Sequence, residues 1–314
     1  LTKAMENTTQ VKFFYLFGLQ ETFNNKSVYF ILSLITYLLI ITVNLTMIIT
    51  IIQEKGLHEP MYIFLCSLCV NGLYGTAGFY PKLLLDLQSD VQVISYGGCF
   101  IQTYVIYTSV MCEMSTLTVM SYDRYVAICR PLLYHTIVTS LTVRKLLLFS
   151  WCYSLFTGLI ALSLAVRIPL CGSRIDKIFL YCDNYSVVKL ACSNTMLNNI
   201  SGLVGTLVSL SCTIFPTIYS YVRILQICLK SSKEKKQKAF NTCTPHIASL
   251  LNFSFGCLFV ILQGRYDTAH LPPILRTFLL VYFLICPPLF NPIMYGVRMV
   301  KIRQACKKVL GLKT

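Results

Sequence analysis

Met120-Ser121-Tyr122-Asp123-Arg124-Tyr125-Val126-Ala127-Ile128-Cys129 closes an apolar stretch that begins near Cys99. About 20 mostly apolar residues suffice to cross a bilayer as a helix. Residues 99–129 exceed that length, and the pair Asp123-Arg124 falls at the end of the stretch. There a charge can reach the headgroup region or a partner instead of facing hydrocarbon alone. Glu113 is the one acid in the interior of any such stretch of the chain. A carboxyl group at membrane depth is a functional feature by default.

Six further apolar stretches surround this one, at residues 27–52, 61–85, 143–166, 197–229, 240–262 and 273–295. The third, fifth and sixth of the seven carry Ser, Thr, Asn and Cys, which suits helices packing on one another in a bundle. The 314 residues are 55% hydrophobic and only 12% charged, with mean hydropathy +0.65. A soluble domain carries about 25% charged residues, so most of this chain is solvated by lipid. The expected fold is an all-α membrane protein, a seven-transmembrane helix bundle. No half of the chain repeats the other, which speaks against a transporter.

Lysine and arginine total 27 against 12 acids, a net charge of +15. In a soluble chain that balance suggests nucleic acid. Here the basic residues crowd into a few connections, so the bilayer is the expected partner and nucleic acid is not. Lys230, Lys233, Lys235, Lys236 and Lys238 join the fifth and sixth stretches, and Arg124, Arg130, Arg144 and Lys145 flank the link from third to fourth. The tail adds Arg298, Lys301, Arg303, Lys307, Lys308 and Lys313. These regions share one side of a seven-span topology, which makes them cytoplasmic and the N-terminus extracellular. The first loop on that side runs against the trend, with Glu54 and Glu59 outnumbering Lys55.

The organisation expected is an extracellular N-terminus over residues 1–26 without a cleavable leader, a seven-span domain over 27–296, and a cytoplasmic tail over 297–314. Val297, Val300, Ile302, Cys306, Val309 and Leu310 alternate with basic residues in that tail. It reads as a short amphipathic helix in the interface, and Cys306 is a candidate for palmitoylation. Asn7-Thr8-Thr9 is the glycosylation sequon best placed for use. Of 15 cysteines most lie within the apolar stretches, but Cys99, Cys171, Cys182 and Cys192 fall on the oxidising side. Two disulfides are expected there, and spacing alone permits three connectivities.

Four motifs follow in order at the matching ends of the apolar stretches. Leu57-His58-Glu59-Pro60-Met61-Tyr62 opens the second, and Met120–Cys129 with Arg130-Pro131-Leu132-Leu133-Tyr134 closes the third. Lys238-Ala239-Phe240-Asn241-Thr242-Cys243-Thr244-Pro245-His246 opens the sixth, and Asn291-Pro292-Ile293-Met294-Tyr295 closes the seventh. The set resembles the vertebrate odorant receptors, a branch of the rhodopsin-like G-protein-coupled receptors, over roughly residues 13–309. The second stretch and the long second outer loop look like the fish-type, water-borne branch.

That resemblance implies the disulfides Cys99–Cys182 and Cys171–Cys192, with the second outer loop as a lid and Tyr185 pointing under it. It implies that Asp123 restrains Arg124 at rest, and that Arg124 turns to the G protein near Tyr125, Tyr221 and Tyr295 on activation. It assigns His246 to the same switch, although a plainly packed core histidine is an alternative. Asn241 and Pro245 stand where the commoner family form has serines. Asn291 and Pro292 mark a kink that can hold two states, since proline removes a backbone donor. In many members the acid at Glu113 faces an aspartate on the second helix and the two hold sodium. This chain has Gly72 there with Asn71 beside it, so a protonated, hydrogen-bonded Glu113 and a one-acid sodium site both stay open.

The ligand pocket is expected between the outer halves of the third, fifth, sixth and seventh helices. Helical spacing puts Tyr107, Val110, Met111 and Met114 on one face of the third helix, and Ser254, Cys257, Leu258, Ile261 and Arg265 on one face of the sixth. By resemblance to the water-borne branch, Arg265 pairs with a ligand carboxylate, as guanidinium and carboxylate match through two parallel hydrogen bonds. An anionic or zwitterionic water-soluble odorant follows from that, with Arg265 as a headgroup anchor the alternative.

A retinal-binding light receptor needs a lysine in the seventh helix, and residues 279–295 have none. The four histidines are scattered and no hydrolase or zinc-protease motif occurs. The expected function is therefore that of a receptor, not an enzyme, with no cofactor and no metal. Its partners are a small-molecule odorant and a heterotrimeric G protein of the stimulatory olfactory type, raising cyclic AMP. The location is the plasma membrane of sensory neuron cilia, or the surface of another tissue that uses the same family.

Overall fold

The computed structural model describes residues 11–16, 26–175, 180–263 and 272–311. Among them, seven long helices run Lys26–Gln53 (α1), Pro60–Gln88 (α2), Tyr96–Cys129 (α3), Ser140–Val166 (α4), Met196–Leu229 (α5), Lys233–Gln263 (α6) and Pro273–Arg298 (α7). The shortest has 26 residues, about 39 Å at 1.5 Å per residue, which exceeds the roughly 30 Å of bilayer hydrocarbon. An eighth helix, Val300–Val309 (α8), leaves the end of α7 at 101°. Helix α6 starts well before residue 240 because the Lys233–Lys238 run is itself helical.

The burial pattern identifies the solvent. In α5 the buried residues are Ser209, Thr213, Ser220 and Ile224, while Leu207, Val208, Phe215, Ile218 and Leu229 are exposed. In α1, Val28, Ile31, Leu32, Ile35 and Leu38 are exposed in the same way. A helix with its small polar residues inside and its large apolar ones outside is built for lipid. Helices α1, α2, α4 and α5 are apolar enough along their length to cross a membrane by themselves. Helix α3 occupies the centre, packed on α2, α4, α5 and α6. Its buried face includes Gln102, Glu113, Ser115, Ser121 and Asp123, a polarity its neighbours must satisfy.

Close approach of α3 and α4 depends on Gly158. A Cβ there would stand 2.3 Å from Thr108 Cγ2 and 3.0 Å from the Tyr104 ring. Trp151 of α4 donates its indole N–H to Ser67 Oγ of α2 at 3.0 Å, giving the one polar atom of that ring a partner.

Proline interrupts α7 at 287, 288 and 292. Pro292 has no N–H for the carbonyl four residues before it, that of Pro288. Asn44 of α1 supplies the missing donor, its Nδ2 reaching Pro288 O at 2.8 Å. The irregular turn is thereby held against α1.

At the N-terminal end of the bundle a three-stranded sheet forms from segments far apart in sequence. Phe13–Leu16 (β1) pairs antiparallel with Val93–Ser95 (β2) and parallel with Arg174–Ile175 (β3). Phe14 and Leu16 are buried against Ile94, Cys99, Ile175, Cys182 and Val187. At the opposite end α8 lies against α1, with Ile302 and Ala305 buried and Val300 exposed. Lys301 Nζ meets Glu59 Oε1 at 2.8 Å and Lys308 Nζ meets Glu54 Oε1 at 2.6 Å. The hydrogen bond to Glu59 holds the Lys301 ammonium above its ordinary pKa. The two acids that offend the charge bias of the first loop are counter-ions for the last helix.

Candidate functional site

Three features line up along α3: a cavity toward the sheet end, a carboxyl group at mid-depth and an ion pair at the α8 end.

The cavity measures about 210 Å³. Tyr107, Val110, Met111 and Met114 of α3 line it, facing Ser209 and Leu210 of α5, Cys257 of α6 and Phe283 of α7. The expected face of α3 is the one turned to this space. Helix α6 differs from expectation: Ser254 and Leu258 are exposed on its outer surface. Its buried face runs through His246, Ser249, Phe253 and Gly256, with Cys257 at the margin. Of the face expected on α6, Cys257 reaches the cavity while Ser254 and Leu258 turn away from it, a face rotated by about one residue, roughly 100°. The side chain of Ile261 and the whole of Arg265 lie outside the described residues, as does Asn7.

The roof comes from the segment after Cys182. Both disulfides are present, Cys99–Cys182 and Cys171–Cys192, with Cα separations of 5.3 and 5.2 Å. The first fixes this segment to the start of α3, and Gln102 Oε1 accepts the Cys182 N–H at 2.9 Å beside it. Asp183 then caps a one-turn helix, Asn184–Val188, through Ser186 N at 3.3 Å. This turn corrects the expectation for Tyr185, which is exposed, with Lys189 Nζ 4.7 Å from its ring centroid. Tyr181, Asp183 and Asn184 line the cavity in its place. Burial raises the Asp183 carboxyl above its usual range, against opposing backbone hydrogen bonds and Lys189.

At mid-depth, Glu113 is buried between two amides. Asn71 Nδ2 of α2 donates to Oε2 at 3.0 Å, and Asn291 Nδ2 of α7 donates to Oε1 at 2.6 Å. A side chain at Gly72 would begin 3.4 Å from Asn44 Oδ1 and from Pro288 Cβ. The space left there, lined by Gly72, Gly75, Ser109 and Glu113, is about 20 Å³, room for about one water molecule. Both oxygens of Glu113 accept N–H bonds, and the amide oxygens Asn71 Oδ1 and Asn291 Oδ1 are buried without a hydrogen-bond partner.

Toward the α8 end, Arg124 Nε donates to Asp123 Oδ2 at 2.9 Å and its Nη2 to the same oxygen. Tyr134 donates its hydroxyl to Asp123 Oδ1 at 2.8 Å. Both carboxylate oxygens of Asp123 are therefore held, and its side chain is only 1% exposed. Burial first, then the Asp123 charge, keep the Tyr134 phenol above its ordinary pKa. His246 Nε2 stands 3.0 Å from Leu117 O, a bond in which only the ring N–H can donate. Nδ1 is then the acceptor for the Tyr221 hydroxyl. A neutral histidine thus ties α6 to α3 and α5. Tyr295 is buried in the apolar cluster that holds Met120 and Val126, and the Tyr125 ring lies 5.9 Å from that of Tyr219.

Sequence reasoning missed Tyr134, Asn44 and Asp183. Each acts across a break, a distant contact or a cap, and none of these leaves a periodic trace.

Comparison with known proteins agrees with this geometry. The olfactory receptor family model matches residues 32–313. Olfactory receptor 2K2 of Homo sapiens is 34% identical over 307 residues, covering 98% of this chain and 96% of that protein. Olfactory receptor 4M1 of Mus musculus is 35% identical over 309 residues, covering 97% and 96%. This chain belongs to the olfactory receptor family. The receptor's fold is also that of squid rhodopsin, with TM-score 0.71 at 15% identity over 91% of this chain and 86% of that one. Membership makes it a multi-pass membrane receptor of the G-protein-coupled class, whose partners are a small molecule and a heterotrimeric G protein. Such receptors signal rather than catalyse.

Proposed function

We propose that the receptor binds a small odorant in the cavity beneath the Cys182–Asn184 segment and signals through a stimulatory olfactory G protein, raising cyclic AMP. The observation that carries this reading is the closed state of Asp123. Its two oxygens hold Arg124 and Tyr134 at one end of α3, while a cavity stands open at the other. Ligand contact with Tyr107, Val110 and Met111 favours an arrangement in which α6 moves away from α3. The Tyr221–His246–Leu117 chain is then broken, Arg124 leaves Asp123, and Tyr125, Tyr221 and Tyr295 form its new surroundings against the G protein. Asn291, tied to Glu113, and the Pro292 break, whose freed Pro288 carbonyl is held by Asn44, carry the change through α7.

The sheet and both disulfides face outward in this reading, in keeping with an oxidising exterior, and the lysine-rich α5–α6 link and α8 face the cytoplasm. Plasma membrane of sensory cilia is the proposed location. An anionic group on the ligand, paired with Arg265, stands on sequence alone. The relatives named above are mammalian, and the water-borne branch likewise stands on sequence alone.

The test is cyclic AMP in cells expressing the receptor, exposed to small water-soluble acids and to their neutral esters and amides. A dose-dependent rise that Arg124→Ala abolishes is the expected result. A surface-labelled receptor whose cyclic AMP is unmoved by any compound and unchanged by Arg124→Ala would overturn the reading. A response restricted to the acids would give Arg265 its role, and a response restricted to neutral analogues would remove it.

A further inference from the structure

Among the described residues lining the ligand cavity, one is charged, and it is an acid. Asp183 lies in the roof between Cys182 and Asn184, and the walls beneath it are formed by Ile106, Val110, Met111, Leu210 and Phe283. A carboxylate has about four acceptor sites. The backbone N–H groups of Ser186, Tyr185 and Asn184 act on it, Ser186 N at a long 3.3 Å, which leaves about one site for a ligand. Lys189, six residues on, stands over the exposed Tyr185 ring, and its charge reaches Asp183 from outside the cavity lining. Tyr181, buried beside the carboxylate, has its phenol raised by burial and then by the Asp183 charge. The acid is thus felt on the inner side of the loop.

We propose that Asp183 recognises the ligand, and that the cavity selects small molecules carrying a protonated amine on an apolar body. Resting on the receptor reading above, this assigns the charge of the ligand at the roof of that same site. A charge-assisted N–H···O bond forms at the roof, and the apolar remainder packs along Val110 and Met111. The apolar walls lower the local dielectric, so one ion pair contributes more there than in water. Binding would also bridge the disulfide-fixed roof to α3, α5 and α6, which is the geometry needed to couple occupancy to helix position.

The test uses the full-length receptor in cells, with n-alkylamines, n-alkanols and n-alkanoic acids of matched chain length, and cyclic AMP as readout. Asp183→Asn removes the charge and keeps a good helix cap. Asp183→Ser does the same with a shorter side chain, and surface labelling reports whether each variant folds. In the wild type, amines act at about tenfold lower concentration than the matched alkanols, the usual size of a charge-assisted hydrogen bond. In either surface-labelled variant that ratio falls to about one. An amine preference that survives both substitutions overturns the proposal. So does a wild type that prefers acids or alkanols, or one silent to the whole panel at normal surface level. The receptor reading is judged separately, by the effect of Arg124→Ala on basal cyclic AMP.

Discussion

Asn291 Nδ2 donates to Glu113 Oε1 across 2.6 Å, and this bond joins α7 to the buried centre of α3. Leaving a buried acceptor without its donor costs about 1–3 kcal/mol, more when it is charged. Asn291→Ala is therefore expected to lower the thermal midpoint of detergent-purified receptor by several degrees, and Asn291→Asp to lower it further by placing two acids together. An unchanged midpoint in both would mean that the pair does not hold α7.

Tyr134 offers a gentler lever on the same switch. Its hydroxyl bond to Asp123 contributes about 1 kcal/mol to the closed arrangement, and Tyr134→Phe removes that bond while keeping the ring. Basal cyclic AMP should rise severalfold at equal surface expression, with Asp123→Asn giving a larger rise. Equal basal signalling in wild type and Tyr134→Phe would free Tyr134 from the lock.

Gly158 predicts a packing defect with no charge involved. A single added methyl would meet Thr108 Cγ2 at 2.3 Å, and overpacking of this kind costs about 1–3 kcal/mol. Gly158→Ala should reduce the thermal midpoint and surface level, and Gly158→Ala with Thr108→Ser should recover part of both. Failure of the second change to help would place the clash elsewhere.

The two disulfides differ in the loops they close, with sequence separations of 83 for Cys99–Cys182 and 21 for Cys171–Cys192. Chain-entropy arguments give about 3 kcal/mol for a 15-residue loop and about 4.7 for a 100-residue loop. Replacing the Cys99–Cys182 pair by serine should therefore destabilise the receptor by about 1 kcal/mol more than replacing the other, read as the gap between thermal midpoints. The reverse order would show that the short loop carries strain or contacts beyond its closure.

The seven spans were legible because their signal is composition over twenty or more residues, which no local contact can disguise. The outer cysteines were legible as a set, and only the family pattern chose among their pairings. The phase of α6 was not. Helical spacing puts Ser254 and Leu258 on one face but does not say which way the face looks. Counting from His246 in steps of three or four, through Ser249 and Phe253 to Cys257, would have set it. Tyr185 failed for a local reason: once Asp183 bonds back to Ser186 N, the chain turns helical and the next side chain swings outward. The pairing of Glu54 and Glu59 with α8 was hidden because α8 lies some 250 residues away along the chain.

The small sheet at the N-terminal end imposes an order of assembly. Strand β1 borrows its two neighbours from the link between α2 and α3 and from the loop after α4. A ribosome delivers β1 first, yet Tyr15 has no Arg174 to lie beside until four helices have been threaded into the bilayer. Strand β2, delivered after α2, can pair with β1 along Phe13–Tyr15, but the other edge of β1, at Tyr15 and Leu16, must wait for β3 through half of biosynthesis. During that interval the nascent receptor presents a sticky, strand-prone end to whatever tends it, and only the arrival of β3 after α4 retires it.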